Sequence, residues 1–192
     1  MEETIIHQEK TFSKVEYANC TLRNREFIQC TFSHCDFSNS DLRDNTFEDC
    51  RFESCNFSMV KLDGTSLRNI HFIGCKVLGC DFSRCNKYMY SFSFTDSILD
   101  YSIFIGLKIK GTHFERCSMK EVDFSHTDLS TAIFDECELS GATFSNSNLE
   151  KTDFRTAHNF RIQLENNKVK KAKFNTANLA GLVLHYGLDL HD

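Results

Sequence analysis

The sequence has no proline, no tryptophan and no long apolar run. No stretch approaches the roughly 18 apolar residues that a membrane span needs, and the opening MEETIIHQEK is polar, so no membrane partner is expected. No apolar signal segment follows Met1, which leaves an oxidising compartment without support and makes a cytoplasmic setting the expectation. Positive charge is also scarce. Against 27 Asp and Glu stand 22 Lys and Arg, a formal charge of −5, which argues against direct nucleic-acid binding by phosphate neutralisation. No G-x-S-x-G, P-loop, H-E-x-x-H or dinucleotide fingerprint occurs, so neither enzymatic activity nor a cofactor is expected. Two residue types are in excess instead: 19 Phe and 10 Cys in 192 residues, a length that suits one domain.

Phenylalanine recurs with a period of five. From Phe12, steps of five reach Tyr17, Leu22, Phe27, Phe32, Phe37 and onward to Phe82 without meeting a polar residue. A second run, offset by two residues, goes from Met89 to Phe154 and resumes after Asn159 with Leu164, Val169, Phe174, Leu179 and Leu184. The position two before each large residue is mostly Cys, Ala, Ser, Thr or Val, and the other three are mostly polar. Two residues in five therefore point inward, two apart as in a strand, while the rest turn a corner. Steps of 20, with 22 across the offset, select Phe12, Phe32, Phe52, Phe72, Phe94, Phe114, Phe134, Phe154 and Phe174. Identical side chains at that spacing imply four pentapeptides per coil, each coil stacked on the last. The offset restores this column, so it is a bulge at one corner near Cys85 to Tyr88 and not a domain boundary.

The segments SDLRD (40–44), CDFSR (80–84), VDFSH (122–126), TDLST (127–131), SNLEK (147–151) and TDFRT (152–156) resemble the pentapeptide repeat family. That resemblance implies an all-β fold, a right-handed quadrilateral parallel β-helix of nearly nine coils, over residues 12–184. Residues 1–11 are expected to cap the N-terminal end, with irregularities at the two-residue bulge between 82 and 89 and at 159–163. Residues 185–192 form a C-terminal tail, either cap or dimer contact. The missing proline fits coils whose N–H groups serve ladders to neighbouring coils.

All ten cysteines fall in the small inward slot, where a thiol packs as a small hydrophobe. Stacked Cys35, Cys55 and Cys75, or Cys30 and Cys50, keep a disulfide geometrically open, whereas ligand spacings for zinc are absent. His71 and His113 take equivalent outward slots two coils apart, too far to share a metal.

Three departures from the pattern mark candidate sites. Outward apolar residues gather near the bulge: Leu78, Tyr88, Tyr90, Ile98, Tyr101, Ile103 and Ile105 form a candidate partner surface. The stretch 159–173 is basic, with Arg161, Lys168, Lys170, Lys171 and Lys173. At the end, LVLHYGLDLHD alternates as a strand would, and Leu182, Leu184, Tyr186, Leu188 and Leu190 are a candidate homodimer contact.

Family resemblance also implies partners. Members of the quinolone-resistance type look like a rod of B-DNA and bind DNA gyrase or topoisomerase IV. A candidate acidic face for such mimicry comprises Asp36, Asp41, Asp44, Glu48, Asp49, Glu53, Asp123, Asp128, Asp135, Glu136 and Glu138. The alternative is an interaction scaffold for an unrelated protein.

Overall fold

A chain that buries two residues of every five must change direction after each repeat, and the corners show how. In the computed structural model, which describes residues 4–86 and 90–189, positive φ recurs at the second residue after the inward large one. It is found at Lys14 (55°), Asn19 (58°) and Asn24 (54°), for example. This left-handed conformation costs an L-residue about 1–2 kcal/mol, least for Asn, which also occupies the corners at 39, 69 and 146. Hydrogen bonds between coils and burial of the inward pair offset that cost.

Four parallel ladders run along the rod. Ladder a contains β2 (Thr11–Ser13), β4 (Thr31–Ser33), β6 (Arg51–Glu53), β8 (Ile70–Ile73), β9 (Phe92–Thr95), β10 (His113–Glu115) and β11 (Ile133–Asp135). It continues through the bridges Ile133 to Asp153 and Asp153 to Lys173. Ladder d begins with β1 (Ile5–Gln8), β3 (Arg25–Ile28), β5 (Thr46–Glu48) and β7 (Ser66–Arg68), and bridges extend it from Lys108 to Lys168. Ladders b and c consist of single bridges, from Glu16 to His158 and from Thr21 to Thr143. Partners lie 20 residues apart, as Phe12 to Phe32, or 22 across the bulge, as Phe72 to Phe94. The four-sided parallel solenoid expected from the spacing is the observed fold.

Stacked side chains fill the interior. The nine Phe rings of ladder a follow one another at centroid separations of 4.8 to 5.7 Å, nearly parallel, from Phe12 to Phe174. Rings of the facing ladders a and c meet edge to face across the interior, as Phe114 does with Phe124 at 6.0 Å. Such pairs add about 0.5–1.5 kcal/mol each beyond the area they bury.

The small slot is more than a spacer. Cys50 Sγ donates to the Phe27 carbonyl at 3.3 Å, Cys117 to Phe94 at 3.5 Å and Cys137 to Phe114 at 3.4 Å, always 23 residues back. Hydroxyls at other slots do the same: Thr65 to Leu42 at 2.9 Å, Thr127 to Phe104 at 2.8 Å and Ser147 to Phe124 at 2.7 Å. Cys, Ser and Thr alternate there because each supplies a donor to a buried carbonyl of the preceding coil, where an unpaired acceptor would cost about 1–3 kcal/mol.

All ten thiols are free, so the stacked cysteines are not bridged, and nine of them are buried. Cys20 is the correction. It is exposed, in the first coil of the described rod, where the small slot is not yet enclosed by a coil on both sides. Burial pushes the Cys50 and Cys80 thiols up to about 12. Only the thiolate attacks, so a thiol reagent at pH 8 is expected to modify Cys20 rapidly and the others only on unfolding. Quantifying labelled thiols by mass spectrometry before and after denaturant checks this; fast labelling of a second cysteine would contradict the packing.

The ends differ from the sequence expectation. Instead of standing apart as a cap, Ile5–Gln8 is the first rung of ladder d, paired with Arg25–Ile28, with His7 stacked on Phe27 at 4.8 Å. At the other end, Leu164–Asn166, Thr176–Leu182 and Leu184–Tyr186 are 3₁₀ helices, so the last pentapeptides do not form regular coils and the expected terminal strand is absent. A 3₁₀ helix repeats every three residues, which turns Leu164, Leu179 and Leu184 outward although they match the columns. The irregularity at 159–163 has a local cause. Asn159 takes a corner conformation with φ of 57°, leaving Phe160 and Ile162 to face inward in its place.

Candidate binding surfaces

Three of every five residues face solvent, so the ladders fix which surface residues become neighbours. Of the apolar set, Tyr88 lies outside the described residues. Leu78 and Ile103 are half-buried, and Tyr90 packs on the core with its hydroxyl accepting from the Lys108 N–H at 2.8 Å. Ile98 (43% exposed), Tyr101 (61%) and Ile105 (38%) stay open. They follow one another along a single coil around the corner between ladders b and c, with Tyr101 at the corner itself (φ 62°).

The eleven acids do not share one side. Asp36 and Glu138 belong to ladder b, Asp41, Asp44 and Asp123 to ladder c, Glu48, Asp49 and Asp128 to ladder d, and Glu53, Asp135 and Glu136 to ladder a. Four of them are matched by bases. Arg23 and Arg43 both pair with Asp41, the second at 2.7 Å; Arg51 pairs with Glu53, Arg68 with Glu48 at 3.3 Å, and Lys110 with Asp128 at 3.8 Å. This interleaving breaks the acidic stripe that the sequence list suggested, because neighbouring coils put opposite charges one rung apart.

Asp153, which sequence reasoning passed over, is the best-anchored acid. Only 8% exposed, it pairs with Arg155 at 2.8 Å and Lys173 at 3.2 Å. The hydrogen bond from Arg155, with help from Lys173, lowers its carboxyl to about 2 from an ordinary 3.8. A depressed folded-state value means stability that is present above the unfolded-state value and lost as pH falls towards 2. Asp153→Asn is therefore expected to cost about 2 kcal/mol at neutral pH and almost nothing at pH 2. Denaturant unfolding at both pH values reads the difference; an equal cost at each would assign the effect to packing.

At the C-terminal end Leu182 is buried, while Leu184, Tyr186 and Leu188 are exposed and Leu190 lies outside the described residues. Of the basic residues, Lys173 is tied to Asp153. Between the 3₁₀ segment and the last regular coils lies an open cleft of 760 Å³, bordered by Glu121, Glu138, His158, Arg161 and Leu184. Within it Glu138 accepts from the Ser140 N–H at 2.9 Å and from Asn159 Nδ2 at 2.7 Å. Among the described residues no group of His, Cys, Asp and Glu could hold a metal, and no helix is long and apolar enough to cross a membrane.

Family comparison matches residues 45–119 and 107–184 to the pentapeptide repeat region and residues 22–58 to pentapeptide repeats in eight copies. The chain belongs to the pentapeptide repeat family. No curated protein matches it. Among solved structures this pentapeptide repeat protein is similar to two trypsin-treated variants of QnrB1, a plasmid-mediated fluoroquinolone resistance protein. For each the identity is 18%, with 98% of both chains covered and a TM-score of 0.58. The pentapeptide repeat protein HetL of the cyanobacterium Nostoc is also found, at 15% identity and a TM-score of 0.35, covering 88% of this chain and 86% of that one.

Proposed function

We propose that this chain is a non-enzymatic, cytoplasmic binding protein whose target is a type II topoisomerase, DNA gyrase or topoisomerase IV, engaged by the rod as a whole. The observation that carries the reading is the four-ladder solenoid, which aligns with a fluoroquinolone resistance protein over 98% of both chains. On this reading the contact rests on shape and on local acids such as Glu136 and Asp123, because interleaved bases break up a continuous negative face. A homodimer through the exposed Leu184, Tyr186 and Leu188 would double the length of such a rod.

Supercoiling by gyrase with added protein, with and without a quinolone, tests the proposal. Inhibition, or rescue from the drug, at micromolar protein is the expected result; neither effect would end the topoisomerase reading. A second reading has its own observation, the open apolar coil of Ile98, Tyr101 and Ile105, which suits an unrelated protein partner. Replacing Ile98 and Tyr101 by Ser separates the two, since it would abolish binding to such a partner and leave the topoisomerase assay unchanged.

A further inference from the structure

At the N-terminal end of the rod two polar side chains stand at inward positions. His7 takes the large-residue place at the start of ladder d, above Phe27 and Phe47. Arg25 takes the small slot that Asn45 and Thr65 fill in the next two coils. Asn45 Nδ2 bonds the Leu22 carbonyl and Thr65 Oγ1 that of Leu42, the latter at 2.9 Å. Arg25 Nε and His7 Nδ1, by contrast, are buried with no hydrogen-bond partner among the described residues. A buried guanidinium N–H without an acceptor is costly, which makes it an unusual choice for a slot that elsewhere holds mostly small residues.

Both residues border a cavity of 110 Å³ on the rod axis, where Phe12, Tyr17, Leu22 and Phe27 supply the apolar wall. Engineered apolar cavities of about 150 Å³ take up benzene, so this smaller space suits a short aliphatic chain or a ring that enters it only in part. The local field is positive. Burial, followed by the charges of Lys10 and Arg25, holds the His7 imidazole below its usual value; burial raises the Tyr17 hydroxyl, with Arg25 opposing that rise.

We propose that this axial cavity binds a small carboxylate, with the carboxylate accepting from Arg25 Nε–H and His7 Nδ1–H and the apolar part resting against Phe12, Tyr17 and Phe27. The ligand would occupy the place on the axis where the four inward columns begin. A carboxylate fits better than a neutral polar group because Arg25 has only donors to offer, and charge-assisted hydrogen bonds are about twice as strong as neutral ones.

Calorimetric titration with benzoate, against benzyl alcohol as the neutral counterpart, tests the site. Benzoate is expected to bind at least about tenfold more tightly than benzyl alcohol, and Arg25→Met to remove that preference. In the absence of ligand Arg25→Met should raise the melting temperature, since it removes the buried unpaired N–H. Fast labelling confined to Cys20 confirms that the variant is folded. On the unaltered protein, benzoate should shift the NMR signals of Phe12 and Tyr17 and leave those of Phe174, at the far end, in place. The inference is overturned by absence of benzoate binding at about 10 mM, by equal affinity for benzyl alcohol, or by unchanged benzoate affinity in Arg25→Met. Topoisomerase assays do not enter the test, so the two proposals fail separately.

Discussion

Phe114→Ala is expected to lower the stability of the folded chain by about 4 kcal/mol, more than any other single truncation of an inward ring near the ends of the same column. Phe114 is fully buried, stacks on Phe94 at 5.7 Å and on Phe134 at 5.0 Å, and meets Phe104 and Phe124 edge to face. Truncation removes the ring's transfer energy and leaves a void that two flanking coils cannot both close. In a stack whose stability resides in contacts between neighbouring coils, the loss also weakens the coupling between the two halves of the rod. The thermal transition should therefore fall by roughly 10 °C and broaden. The half-buried Phe174, with one stacked neighbour in its column, is the comparison, and Phe174→Ala should cost about half as much or less. Calorimetry of both variants decides the matter. Equal losses would mean that the ring column is not what couples the coils.

Gly181→Ala is expected to cost about 3 kcal/mol, at the upper end of overpacking effects, and to release the C-terminal closure while the ladders stay intact. A Cβ at Gly181 would lie 2.2 Å from the Phe160 carbonyl oxygen and 2.8 Å from its ring. The obstacle is backbone, so no rotamer change relieves it. The Gly181 carbonyl also accepts from the Ile162 N–H at 3.0 Å, and any shift that makes room for the methyl group stretches this bond. Exchange of the Ile162 amide should accelerate strongly. Cys117 and Cys137, further along the rod, should remain protected. If those thiols become reactive as well, the 3₁₀ segment is holding the whole rod and not just its end.

Where each residue has a coil on both sides, the sequence was sufficient. Burial then depends only on position within the repeat, and Phe32, Phe94 and Phe134 could be placed inside by counting. Where one neighbour is missing, counting fails. Cys20 obeys the repeat and is exposed, and Leu179 and Leu184 obey it and are turned out by a 3₁₀ helix. His7 and Arg25 also fall into phase once β1 is recognised as a rung, but an apolar search beginning at Phe12 passes over polar residues at inward positions. Surface chemistry was legible in kind and not in arrangement. The acids could be named, but their distribution over four ladders, and the bases one rung away, depend on a register that composition does not contain. The hydrogen-bonding role of the small slot was within reach, since Cys, Ser and Thr share a donor and not just a size.

The two surplus residues between Phe82 and Met89 have a practical consequence. The rings of Phe72 and Phe94 stack at 4.8 Å across them, and the Asn86 and Ser91 amides on either side still reach the Thr65 and Leu67 carbonyls, at 2.9 and 3.1 Å. Contour length at that corner is therefore decoupled from register. A foreign peptide grafted there would be displayed from the middle of the rod, with the columns before and after it unchanged. The same graft between Cys117 and Met119 would part an inward pair and open the coil it interrupts.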